Sequence, residues 1–166
     1  MKFVSFWHQQ SMKLGLLHDD KVLDVNKAAY SIRKYLPTSM LKFLEQLEEN
    51  EPVARTLDEG FKKGDFMEFS LSLNDVCLDA PLPNPTSCRD GYAFRQHVAA
   101  ARRNRGVDMI PEFDHYPIFY FTNHNAIIGP GPVRCMKDHF DKLDFELEVA
   151  VVLGKRGRNI EAKNAD

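Results

Sequence analysis

Three cysteines in 166 residues, Cys77, Cys88 and Cys135, are too few and too scattered for a disulfide framework. They are odd in number and no two stand at CxxC spacing, which implies reduced thiols and a cytoplasmic setting. Long apolar runs are missing too, since no stretch reaches the ~18 residues of a membrane span. The first fifteen residues are broken by His8, Gln9, Gln10 and Lys13, so no secretory leader is expected. Neither sign of charge dominates, with 22 Lys and Arg against 24 Asp and Glu and a formal net charge of -2. That balance gives no electrostatic reason to expect nucleic acid or an anionic membrane surface as a partner. Internal repeats and low-complexity tracts are also absent. What is there, at 43% hydrophobic and 28% charged residues, is the composition of a soluble globular protein.

The length allows one ordinary domain, or a small one followed by part of another. Lys2 to Trp7 and Lys13 to Val25 read as strands, with Asp19-Asp20 at a hairpin turn. From Asn26 the period lengthens. Ile32, Leu36, Met40, Phe43, Leu44 and Leu47 recur at three- and four-residue steps, broken by Pro37, giving a short helix and then a longer one. A further helix is expected after Pro52, with Val53, Leu57 and Phe61 on one side and Gly60 and Gly64 closing it. Phe66 to Leu73 alternates as a strand and Val76 to Leu78 reads as the next. Pro81, Pro83 and Pro85 then form a stiff connector that can continue neither a helix nor a central strand. The boundary is placed there, with a small α+β domain over residues 1–80 and a second domain over residues 81–166.

In the second domain, a helix capped by Ser87, Cys88 or Asp90 would run through His97 to about Arg105 and stop at Gly106. Asp90 and His97 would then share a face roughly 10 Å apart along the axis. That is too far for both to bind one ion, but it suits a carboxylate holding a cation and an imidazole handling a proton further along. Ile118 to Thr122 reads as an aromatic strand, and Ile128-Gly-Pro-Gly-Pro132 as a tight bend whose glycines allow close approach of another group. Beyond it, Leu143, Phe145, Leu147 and Val149 alternate with Asp144, Glu146 and Glu148, the period of a half-buried strand. Same-face carboxylates about 7 Å apart repel unless something positive lies between them. A hard divalent cation fits, and oxygen-only ligands favour magnesium, calcium or manganese over zinc. A solvated acidic face fits the same pattern.

Four blocks together carry a more specific signal: Asp-x-Tyr-x-x-Arg-Gln-His from Asp90 to His97, Pro-Ile-Phe-Tyr from Pro117 to Tyr120, Ile-Gly-Pro-Gly from Ile128 to Gly131, and Asp-Phe-Glu-Leu-Glu-Val-Ala-Val-Val-Leu-Gly from Asp144 to Gly154. In order and spacing this resembles the fumarylacetoacetate hydrolase family. The resemblance implies a mixed, β-rich α+β fold in which the second domain opens a β-roll catalytic domain. It implies Asp90, Glu146 and Glu148 as metal ligands, His97 as the base that activates water, and Tyr92 and Tyr120 as substrate contacts. The family's carboxylate-binding arginine does not stand at the usual spacing here, leaving Arg102, Arg103 and Arg105 as candidates with Arg102 first. The ion implied is Mg2+, with Ca2+ or Mn2+ as alternatives.

The implied activity is metal-dependent cleavage of a carbon–carbon bond in a 1,3-diketone acid such as fumarylacetoacetate or another acylpyruvate, as in aromatic amino-acid catabolism. Relatives that decarboxylate or isomerise oxo acids give the alternative, and a non-catalytic binding module is the rival outside enzymology. A homodimer acting on a small oxo acid is the assembly implied. Family members continue past Ile160 with a further metal-binding Asp and a catalytic Lys, so the resemblance implies the N-terminal portion of a longer enzyme.

Overall fold

A computed structural model describes residues 1–165. They divide into two compact units, Met1–Leu82 with Ile128–Asp166, and Pro83–Ile127. The fold is mixed α+β.

The first unit is built on an antiparallel sheet of five strands in the order β4-β3-β2-β1-β5. Strands β1 (Phe3–His8), β2 (Ser11–His18) and β3 (Lys21–Asp24) form a meander. The β1–β2 loop is the pair Gln9-Gln10, with φ of 48° and 62°. Two positive φ values in a two-residue loop match the right-handed twist of the strands it joins. Asp19-Asp20 makes the second turn, as its sequence predicts, with Asp19 at φ 50°. Strand β4 (Ser70–Ser72) pairs with β3, and β5 (Cys77–Leu78) pairs with β1.

Three helices lie against one face of this sheet. Helix α1 (Val25–Ser31) starts at Asp24, whose carboxylate accepts from the Lys27 N–H at 3.2 Å and from Lys13 Nζ at 2.6 Å. Helix α2 (Met40–Glu45) is capped by Ser39, and α3 (Leu47–Lys62) follows directly. The core holds Leu14, Leu16 and Leu23 from the sheet and Val25, Ala28, Ala29, Phe43, Ala54, Leu57 and Phe61 from the helices. The rings of Phe3 and Phe43 meet at 4.8 Å.

Two expectations about the N-terminal helices and strands are corrected. The helix expected to follow Pro52 begins five residues earlier, with Pro52 inside it. A proline costs least near a helix start, and the apolar face of α3, completed by Ala54, Leu57 and Phe61, outweighs the one hydrogen bond lost. Within the strand expected over Phe66 to Leu73, only Ser70–Ser72 pairs. Phe66 takes φ 61° and Met67–Phe69 closes a 3₁₀ turn.

The segment after β5 is pinned to β1. Asp79 N donates to the Ser5 carbonyl at 2.9 Å, Ser5 Oγ donates to the Pro81 carbonyl at 2.8 Å, and Trp7 Nε1 donates to Asp79 Oδ2 at 2.8 Å. The expected close approach at the Gly-Pro-Gly bend occurs at Gly129, where a Cβ would lie 2.5 Å from the Asp79 Cα.

The second unit contains β6 (Arg89–Gly91), helix α4 (Arg95–Asn104), a 3₁₀ turn at Pro111–Asp114 and β7 (Phe119–Phe121). Strands β6 and β7 form an antiparallel ribbon. Gly106, at φ 69°, closes α4 as its position predicts. The Val107 and Gly106 N–H groups return to the Arg102 and Arg103 carbonyls at 3.1 and 3.0 Å.

Candidate functional site

Asp90 does not share a helix with His97, as the sequence spacing suggested. It lies in β6, and α4 begins only at Arg95 after an extended Phe94 that offers no side-chain cap. The physical reason is local. Gly91 is a poor helix residue, and Arg89 to Gly91 gain ladder bonds to the aromatic strand β7, which the Tyr92 N–H extends to the Ile118 carbonyl at 3.0 Å.

The ribbon creates a different grouping. Asp90 is directly opposite Tyr120, while Arg89 is opposite Phe121 and Gly91 opposite Phe119. Because side chains alternate faces, Asp90 and Tyr120 project from one face and Arg89, Phe119 and Phe121 from the other. Tyr92, two residues beyond Asp90, follows the Asp90 parity. Its ring meets His97 edge-on at 6.3 Å, and Phe113 edge-on at 6.3 Å. Tyr92 therefore joins strand, helix and 3₁₀ turn. Arg95 anchors the same corner, with Nη1 on Asp114 Oδ1 at 2.8 Å and its guanidinium 5.8 Å from the Phe113 ring centroid. Phe113 and Arg95 were not singled out by spacing, because their roles arise only when the turn meets the helix start.

Of the arginine candidates, Arg102 is committed to its own helix end, where Nε donates to the Asp108 carbonyl. Together with Arg103 it lines an open cleft of about 370 Å³ over Gly106 to Met109.

Glu146 and Glu148 belong to the first unit. The strand expected over Leu143 to Val149 is not formed, and the apolar run to Leu153 does not enter a core. Residues 143–153 have no regular secondary structure, and Phe145, Leu147, Val149, Val151 and Leu153 are 82–97% exposed. A strand forms when a neighbour takes its ladder bonds and covers its apolar side, and among the described residues this segment has no ladder partner.

Residues 86–166 match the fumarylacetoacetate hydrolase C-terminal domain family. An oxaloacetate tautomerase of Bacillus subtilis is 31% identical over 99% of this chain and 56% of its own length. The mitochondrial oxaloacetate tautomerase of Xenopus laevis is 30% identical over 99% of this chain and 48% of its own. Residues 86–166 are a domain of the fumarylacetoacetate hydrolase family. A Dictyostelium discoideum homologue of fumarylacetoacetate hydrolase domain-containing protein 2 is 25% identical over 95% of this chain and 46% of its own length. The chain thus spans about half the length of the curated relatives it matches.

Fumarylacetoacetate hydrolase family enzymes commonly use a divalent cation. The carboxylates of Asp90, Glu146 and Glu148 have the oxygen chemistry for a hard ion. Among the described residues, however, no three His, Cys, Asp or Glu side chains are gathered so as to hold one. The geometry on hand is the edge-on contact of His97 with Tyr92, and a ribbon face bearing Asp90 and Tyr120.

Proposed function

We propose that the protein carrying this sequence is an oxo-acid isomerase that interconverts the enol and keto forms of a small dicarboxylic acid of the oxaloacetate type. The observation that carries this reading is the alignment of 99% of the chain with two relatives named oxaloacetate tautomerase. Their names speak for isomerisation rather than carbon–carbon hydrolysis, which is why the hydrolytic reading is not preferred.

The chemistry asks little of the protein. In the enol-to-keto direction the C2 hydroxyl loses its proton and C3 gains one, while the C2–C3 double bond becomes single and the C2–O bond becomes a carbonyl. His97 is the proposed proton carrier, since imidazole both accepts and donates near neutral pH. Tyr92 holds the imidazole edge, and Tyr92 and Tyr120 offer hydroxyls to substrate oxygens. Arg102 is the proposed partner of a substrate carboxylate, through the guanidinium nitrogens that do not serve the Asp108 carbonyl. Asp90, Glu146 and Glu148 are the proposed ligands of a divalent cation, Mg2+ first with Ca2+ or Mn2+ as alternatives, which would stabilise negative charge on enolate oxygens. A β-roll around these residues and a homodimer belong to the same proposal.

The test follows the loss of enol oxaloacetate by its ultraviolet absorbance. Catalysed loss that falls by about a hundredfold in His97→Gln supports the reading. Release of carbon dioxide would instead identify a decarboxylase, and cleavage of an acylpyruvate into two acids a hydrolase. No turnover of any of them would leave a binding module. Calorimetry with Mg2+ or Mn2+ addresses the ion, with heat of binding expected and its absence in the Glu146→Ala, Glu148→Ala double variant. No heat from the unmutated protein would remove the metal.

A further inference from the structure

The ribbon that carries Asp90 and Tyr120 has little to hold its register. All six ladder residues are exposed, so burial of one face does not select the pairing. The connection from Gly91 to Phe119 contains α4 and a 3₁₀ turn, and so cannot dictate register as a two-residue hairpin loop does. Backbone ladder bonds discriminate poorly, because every non-proline residue offers the same donor and acceptor. A shift of one residue would nevertheless send Asp90 and Tyr120 to opposite faces.

One side-chain contact does distinguish the observed register. On the face away from Asp90, the rings of Phe119 and Phe121 meet nearly perpendicular at 5.1 Å. The Arg89 guanidinium lies over both, with Cζ 5.4 Å from the Phe119 centroid and 4.9 Å from that of Phe121. Ser87 Oγ accepts from Arg89 Nη1 at 3.3 Å and steadies its far edge. Arg89 thus touches the residue directly opposite and the next one along the same face, which a pairing shifted by one residue would not permit, since it would send both rings to the other face. A planar guanidinium stacks on aromatic faces in a way that a lysine ammonium does not.

We propose that Arg89 is a positioning residue that sets the register of the β6–β7 ribbon, its clasp on Phe119 and Phe121 holding Asp90 opposite Tyr120 on the other face. It touches no reacting atom. The proposal deepens the isomerase reading by naming what keeps two of its residues together, and its functional arm rests on that reading.

The experiment compares the unmutated protein with Arg89→Gln, Arg89→Lys, the pair Phe119→Leu with Phe121→Leu, and the triple combination. Cross-strand backbone nuclear Overhauser effects between Asp90 and Tyr120 report register, and Trp7 fluorescence in the β1 strand reports that the first unit remains folded. Loss of the Asp90–Tyr120 contacts in Arg89→Gln with Trp7 unchanged, partial retention in Arg89→Lys, and no further loss in the triple variant are expected. Retention of those contacts in Arg89→Gln, or losses that simply add in the triple variant, would overturn the proposal. If Trp7 also changes in Arg89→Gln, the phenylalanine pair decides by the same contacts. Where enol loss is catalysed, kcat should fall about tenfold or more in Arg89→Gln. If the unmutated protein shows no catalysis while the register result holds, the isomerase reading falls and the role of Arg89 stands.

Discussion

At the scale of single residues, the most heavily used side chain in the N-terminal sheet is Asp24. It is 4% exposed, caps α1 through the Lys27 N–H, and takes the Lys13 ammonium at 2.6 Å. A cap alone is worth about 1 kcal/mol, and removing one partner of a largely buried charged pair leaves the other without compensation. Asp24→Ala should therefore lower unfolding free energy by roughly 2–3 kcal/mol. Urea titration followed by Trp7 fluorescence checks this, and a change below roughly 0.5 kcal/mol would mean that cap and pair are both dispensable. Asn in its place keeps an acceptor for the Lys27 N–H and should recover part of the loss. His97 and Tyr92 are a different case. Their importance comes from adjacency across two elements, which no single side chain announces.

At the scale of elements, legibility followed whether a segment makes its own structure or needs a neighbour. The β2–β3 turn at Asp19-Asp20 and the stop at Gly106 were readable because turn and cap chemistry is local. Strand β7 was readable from its aromatic alternation. The start of α4 was not, because Asp90 is a good cap in isolation and only pairing with β7 draws it into a strand. Leu143 to Leu153 misled for the same reason in reverse, since alternation states what a strand would bury without supplying its partner. The four motif blocks identified the family but not the placement of their acids. This segment yields a prediction at its own scale. Without ladder bonds, amides of residues 149–153 should exchange with solvent at rates near those of an unfolded chain. Those of Leu14 and Leu16, inside β2 and buried, should exchange orders of magnitude more slowly. Protection of residues 149–153 comparable with β2 would show that the segment finds a strand partner in solution.

At the scale of the whole molecule, burial is divided unequally between the two units. Among the described residues, fourteen of the fifteen buried hydrophobic side chains belong to the first unit, and only Val98 of helix α4 to the second. Full burial of a Leu or Phe contributes roughly 1.5–3 kcal/mol, so the sheet and its three helices have a substantial reserve against chain entropy. The Pro83–Ile127 unit relies instead on a short exposed ribbon, the stack of Tyr92, Phe113 and Arg95, and the exposed Arg95–Asp114 pair. Surface ion pairs and exposed cation–π contacts supply only about 1 kcal/mol apiece at best. Unfolding should therefore not be two-state. In a denaturant titration, amide resonances of α4 should lose dispersion at a lower midpoint than the change in Trp7 fluorescence, which follows the first unit. A single midpoint for both probes would mean that the two units stand or fall together. The order expected places His97, Tyr92, Tyr120 and Arg102 in the less stable unit, so that binding of substrate to them should raise the lower midpoint and leave the upper one nearly unchanged.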